Sequence, residues 1–118
     1  MEQPSITTGQ KTKETEKTEN LDVLTSTQII IKQALDKLGY PESVYELLKE
    51  PIRSLTVRIP VRMDDGSVKI FTGYRAQHND AVGPTKGGVR FHPDVTEREV
   101  KALSIWMSLK AGIVDLPY

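Results

Sequence analysis

The hydrophobic pattern of this chain changes period twice. Across residues 21–38, Leu24, Ile31, Leu35 and Leu38 recur at helical spacing and predict a helix. Asn20 or Asp22 can cap its start, and Gly39 followed by Pro41 marks its end. Pro41, placed at a first helical position, opens a second short helix through Lys49 with Val44, Leu47 and Leu48 as its apolar side, and Pro51 ends it. From Leu55 the period becomes two. Leu55, Val57, Ile59, Val61 and Met63 alternate with Thr56, Arg58, Pro60 and Arg62, the pattern of a half-buried strand. Pro60 donates no ladder hydrogen bond, which predicts an edge position or a bulge there. Asp64-Asp65-Gly66-Ser67 is a turn signature, and Val68 to His78 reads as the returning strand, with Val68, Ile70, Tyr74 and Ala76 on one face. Val89-Arg90-Phe91 reads as a short strand. Helical spacing then resumes. Thr96-Glu97-Arg98-Glu99 is a capping box, and Val100, Leu103, Met107 and Ala111, widened by Trp106 and Leu109, predict a long helix from Thr96 to about Gly112. The order of elements predicts an α/β fold: N-terminal helices, a sheet containing the hairpin at about 55–78, then the long helix.

Composition narrows the class. Residues 1–20 contain only Met1 and Ile6 from the apolar class, too little to offset the entropy of ordering, and are expected to be a disordered polar tail. The rest, 21–118, is one folded unit. Lys+Arg and Asp+Glu both number 16, so bulk electrostatics give no reason to expect nucleic-acid or anionic-membrane binding. With no cysteine there is no disulfide framework, thiolate nucleophile or cysteine zinc site. No apolar run approaches the ~20 residues of a membrane span, and the N-terminus lacks a secretory apolar region. A cytoplasmic protein is the expectation.

Two lysines stand out. Lys110 follows Met107 by three positions and Leu103 by seven, which places it on the apolar face of the last helix. A lysine there either snorkels to water, helped by the helix C-terminus, or meets an anion such as a carboxylate or phosphate. Lys86 lies in Gly83-Pro84-Thr85-Lys86-Gly87-Gly88-Val89-Arg90. Paired glycines let backbone approach a ligand closely beside a cation, although the same pattern also describes an ordinary loop. It is not the phosphate-cradling loop, because Val89-Arg90 stands where Lys-[Ser/Thr] is required. His78 and His92 have no ligand cluster around them and are expected to be surface or hydrogen-bonded histidines; no metal site is expected. No dinucleotide fingerprint, paired-carboxylate couple or activated hydroxyl is found.

The run Tyr74-Arg75-Ala76-Gln77-His78-Asn79-Asp80, then Gly83-Pro84-Thr85-Lys86-Gly87-Gly88-Val89-Arg90-Phe91-His92-Pro93, then Lys101-Ala102-Leu103, Trp106-Met107-Ser108-Leu109-Lys110 and Asp115-Leu116-Pro117-Tyr118, resembles the glutamate dehydrogenases of the Glu/Leu/Phe/Val dehydrogenase family. The resemblance covers 21–118 and implies the N-terminal, substrate-binding and oligomerising domain, with a mixed sheet, of a bacterial catabolic enzyme. It implies reversible oxidative deamination of L-glutamate to 2-oxoglutarate and ammonium with NAD or NADP, in a hexamer. Lys86 would bind the side-chain carboxylate with Gly87 and Gly88 shaping that wall; Lys110 would bind the α-carboxylate beside Met107. The catalytic lysine, a later aspartate and the nicotinamide-binding Rossmann domain would lie beyond Tyr118. On that implication the fragment holds no catalytic residue, binds no cofactor and is inactive alone. Other readings are a non-catalytic module that co-assembles with intact dehydrogenase, and a stand-alone dicarboxylate binder.

Overall fold

The computed structural model describes residues 22–118, and the tail expected over 1–20 lies outside them. Helix α1 spans Val23–Leu38. Asp22 is its cap, its Oδ1 accepting from the Thr25 N–H at 3.0 Å. Gly39, at φ 74°, supplies the left-handed residue that lets its own N–H reach the Asp36 carbonyl and the Tyr40 N–H reach that of Leu35. Helix α2 spans Glu42–Leu48. Pro41 is its N-cap, one position earlier than the sequence implied. Strands β1 (Arg53–Arg62) and β2 (Val68–Gln77) form an antiparallel hairpin, and helix α3 spans Glu97–Ile113.

The core is small and helical. Leu24, Ile31 and Leu35 of α1 meet Ala102 and Ile105 of α3, with Val44, Tyr45 and Leu48 of α2 packed at the margin. Thr27 joins the buried face of α1. Its hydroxyl donates to the Val23 carbonyl at 2.7 Å and accepts the Trp106 indole N–H at 2.9 Å, so the burial leaves no polar atom unpaired. Leu38 and Leu47, expected on apolar faces, are exposed. Leu38 sits where the chain reverses at Gly39, and α2 turns Val44, Tyr45 and Leu48 inward instead. Lys32 of α1 bonds Asp36 at 2.8 Å and also contacts Glu42 of α2; these two carboxylates push its ammonium well above the usual lysine range.

The hairpin turn is closed by Met63 N–H to the Ser67 carbonyl at 2.8 Å, with Gly66 at φ 84°. Pro60 stands opposite Ile70 in a two-stranded sheet, where each strand is an edge, as a ladder proline requires. The register puts Leu55, Val57, Ile59 and Val61 opposite Arg75, Gly73, Phe71 and Lys69. Cross-strand partners share a face, so the Val68, Ile70, Tyr74, Ala76 row lies on the other side. The hairpin therefore carries an apolar row on each face. β1 is exposed along its whole length rather than half-buried, because nothing among the described residues covers it. Gly73 matters here: a Cβ would stand 3.0 Å from Ile59 Cδ1 and 3.1 Å from Val57 Cγ2. The described sheet is this hairpin alone, narrower than the mixed sheet expected, and Val89–Phe91 is irregular rather than a strand.

Candidate functional site

The candidate site lies where the loop after β2 meets the C-terminal half of α3. The loop is fastened at its start. His78 is buried, and its Nε2 donates to the Leu48 carbonyl at 2.8 Å, while its own carbonyl accepts the Ile52 N–H at 3.0 Å. A carbonyl only accepts, so Nε2 carries the hydrogen; Nδ1 has no partner among the described residues. His78 is thus a hydrogen-bonded lock between α2 and β2, in line with the structural role expected for it. Asp80 bonds Arg53 at 3.1 Å, and Asn79 Oδ1 accepts the Ala81 N–H at 2.9 Å. His92 is exposed and its Nδ1 accepts the Asp94 N–H at 3.1 Å. Further on, Arg75 Nη2 donates to the Thr85 carbonyl and to Thr85 Oγ1, each at 3.3 Å, and Gln77 Nε2 donates to the same Oγ1 at 3.1 Å. Lys86 follows immediately.

The other wall is α3. Thr96 caps it by accepting the Glu99 N–H at 3.2 Å. The reciprocal half of the expected capping box is replaced: the Glu99 carboxylate pairs with Arg90 at 3.0 Å, tying the loop to the helix. Ala102 and Ile105 form the face of α3 that meets α1. Lys110, on the apolar face that spacing gives it, is exposed, as a lysine reaching water would be, on the same side as Leu103 and Met107 and turned away from the α1 contact. Two apolar rows run along this helix, and only one of them is core.

Beyond α3 the chain turns at Asp115, which adopts φ 55°, and the Leu116 N–H reaches the Ala111 carbonyl at 2.9 Å. This fold-back brings the Pro117 carbonyl against Gly83, leaving no room for a Cβ there. The loop and the segment after α3 thereby close around a groove of about 310 Å³ lined by Lys86, Met107, Lys110, Ala111, Ile113, Val114 and Leu116. Three of the five residues selected from sequence, Lys86, Met107 and Lys110, line this one groove. Gly87 and Gly88 adjoin Lys86 in the loop without lining it; a Cβ at Gly88 would meet open space. Among the described residues neither Lys86 nor Lys110 is ion-paired with a carboxylate, whereas Lys32, Lys49 and Lys101 are. Lys110 also sits in the last turn of α3, where the helix dipole favours a cation. The groove's lining is almost wholly carbon, so Lys86 and Lys110 contribute chiefly their aliphatic stems to the wall, beside Met107, Ile113, Val114 and Leu116. Sequence reasoning missed Ile113, Val114 and Leu116, whose role depends on the fold-back at Asp115, and the Thr85 clamp, which joins residues from strand and loop.

Comparison with known proteins agrees on the family. Residues 51–118 match the model of the Glu/Leu/Phe/Val dehydrogenase dimerisation domain. The chain is 80% identical over 103 residues to the cryptic catabolic NAD-specific glutamate dehydrogenase of Bacillus subtilis, covering 85% of this chain and 24% of that protein. It is 76% identical over 101 residues to the NAD-specific glutamate dehydrogenase of Staphylococcus aureus, covering 86% of this chain and 24% of that protein. The glutamate dehydrogenase of Peptoniphilus asaccharolyticus superimposes with a TM-score of 0.79 at 56% identity, over 82% of this chain and 25% of that one. A hetero-hexameric glutamate dehydrogenase from Thermus thermophilus, in its Leu-bound form, gives a TM-score of 0.62 at 49% identity, over 67% of this chain and 19% of that one. The chain thus spans about a quarter of the length of the relatives it matches. With its glycine-lysine loop, its α/β architecture and its sequence all in accord, it belongs to the Glu/Leu/Phe/Val dehydrogenase family.

Proposed function

We propose that this chain supplies the substrate-carboxylate wall of an NAD-dependent glutamate dehydrogenase that assembles as a homo-oligomer, with a hexamer as the expected form. The observation that supports it is the meeting of Lys86 and Lys110 on one apolar-floored groove. Glutamate carries two carboxylates on a short aliphatic chain. Two separated ammonium groups match them, and the methylenes rest on Met107 and its neighbours. A charge-assisted pair between ammonium and carboxylate is stronger than a neutral hydrogen bond, although both lysines stand exposed in this chain. Lys86 takes the side-chain carboxylate and Lys110 the α-carboxylate. This wall holds and orients the substrate. NAD, when bound elsewhere in the enzyme, would supply the acceptor for the hydride of the substrate Cα; the residues described here hold and orient the carboxylates.

We assign NAD and the proton-transferring groups to protein outside these residues. The described sheet is an antiparallel hairpin, without the strand–turn–helix that receives a dinucleotide pyrophosphate. The hexamer reading draws on the dimerisation-domain match and on the apolar rows left open on the hairpin. The test is steady-state kinetics of the dehydrogenase containing this chain. Lys86→Ala and Lys110→Ala should each raise the glutamate KM about tenfold or more, the loss of one charged contact. An unchanged KM in both variants would refute the two-lysine reading.

A further inference from the structure

We propose that Arg75 and Gln77 are positioning residues: together they clamp Thr85 and thereby set the pose of Lys86. This deepens the reading of Lys86 as a carboxylate-binding cation and rests on it. Arg75 and Gln77 are two apart on β2 and so project to the same face of the strand. Both reach a single residue. Thr85 Oγ1 accepts from Arg75 Nη2 at 3.3 Å and from Gln77 Nε2 at 3.1 Å, and the Thr85 carbonyl accepts from Arg75 Nη2 at 3.3 Å. The same guanidinium also attends the other side of the lysine, since a Cβ on Gly87 would lie 3.9 Å from Arg75 Nη1. Arg75 therefore spans both neighbours of Lys86.

The need for such a clamp follows from the backbone. Residues 85–92 form no helix or strand, and Gly87-Gly88 leaves the chain after Lys86 free to pivot. A lysine in that setting has a flexible stem on a flexible loop, and a carboxylate would have to order both. Bonding Thr85 to a paired strand orders the loop beforehand. The side-chain types fit the task. A guanidinium can donate to a carbonyl and a hydroxyl of one residue at once, and a hydroxyl can accept from two donors. Arg75 does not act by neutralising Lys86, as the two carry the same charge. It also does not line the groove, so direct contact with the substrate is assigned to Lys86 and Lys110.

Two measurements test the clamp, using Thr85→Val, which keeps the branched shape but removes the hydroxyl, Thr85→Ser, which keeps the hydroxyl, and Gln77→Leu. The first is the backbone ¹⁵N order parameter of Lys86 and Gly87 in this chain. It should fall in Thr85→Val and Gln77→Leu and stay near the parent value in Thr85→Ser, with thermal unfolding confirming that all three fold. The second is kinetics of the dehydrogenase containing the chain. Thr85→Val should raise the glutamate KM about tenfold with little change in kcat, and Thr85→Ser should restore it. Parent-like order and KM in Thr85→Val and Gln77→Leu would overturn the clamp, as would equal KM increases in the Ser and Val variants. Lys86→Ala separates the two levels. If it raises KM while Thr85→Val does not, the clamp fails and the lysine reading stands; if it leaves KM unchanged, the lysine reading fails and the clamp's role in substrate binding falls with it.

Discussion

Arg98, in the first turn of α3, grips the carboxylate of Asp22, the residue that caps α1, through Nε at 3.1 Å and Nη2 at 2.9 Å. Its Nη2 also donates to Thr25 Oγ1 at 3.1 Å. One carboxylate thus caps one helix and anchors the start of another 76 residues away. The Thr25 backbone N–H chiefly, and Arg98 after it, hold the Asp22 carboxyl below the usual carboxylate range.

The sign of the pH effect follows. The group is depressed in the folded state, so its contribution is complete above the unfolded value of about 3.8 and is lost as pH falls through the folded value. Thermal melts between about pH 3 and pH 7 should show Asp22→Asn with a lower Tm at neutral pH and a shallower acid-side decline than the parent. Parallel declines would show that Asp22 is not linked to folding.

Ile105 is fully buried at the centre of a core of few residues. Ile105→Ala should cost about 2–5 kcal/mol in urea unfolding, with Ala102 too small to close the gap. A cost below about 1 kcal/mol would mean that α1 and α3 repack freely.

Two helix ends should respond with opposite signs to substitutions involving glycine. Gly39 sits at φ 74° and Asp115 at φ 55°. Gly39→Ala forces a Cβ into left-handed backbone and should destabilise by about 1 kcal/mol, while Asp115→Gly should stabilise by about 0.5 kcal/mol. Chemical denaturation of the two variants side by side checks the pair.

Gly83→Ala is the variant that separates the groove from the fold. A Cβ at this position runs into the Pro117 carbonyl, so the loop and the segment after α3 must part. Both lie outside the core cluster. The Tm should therefore move little, while the glutamate KM of the dehydrogenase containing the chain rises severalfold. A large loss of Tm with unchanged KM would contradict the placement of this contact at the groove.

Much of this was readable from the sequence. The helix stop at Gly39 and the helix start at Thr96 were legible because capping is local chemistry, and the hairpin because its alternation and its Asp-Asp-Gly turn are local too. The lysines were legible as residue types in unusual company. Three things were not. Helical spacing placed Lys110 on an apolar face, but α3 has two such faces, and only tertiary contact decides that Ala102 and Ile105 face the core. The capping box promised Glu99 to the Thr96 backbone, and Arg90, nine residues earlier, took its carboxylate. Alternation assigned apolar rows to both strands, yet the register puts those rows on opposite faces of the hairpin. Each miss concerns a choice between partners, which a one-dimensional pattern does not encode.

The two lysines of the groove stand on different supports. Lys110 rides on α3, Lys86 rides on a loop fastened to β2 through Thr85, and α3 is in contact with β2. Any change in how the helix sits on the strand therefore shifts the support of one lysine relative to that of the other. On the proposed reading, preference for a dicarboxylate of one chain length over another would then depend on how helix and strand pack, and not on either lysine alone.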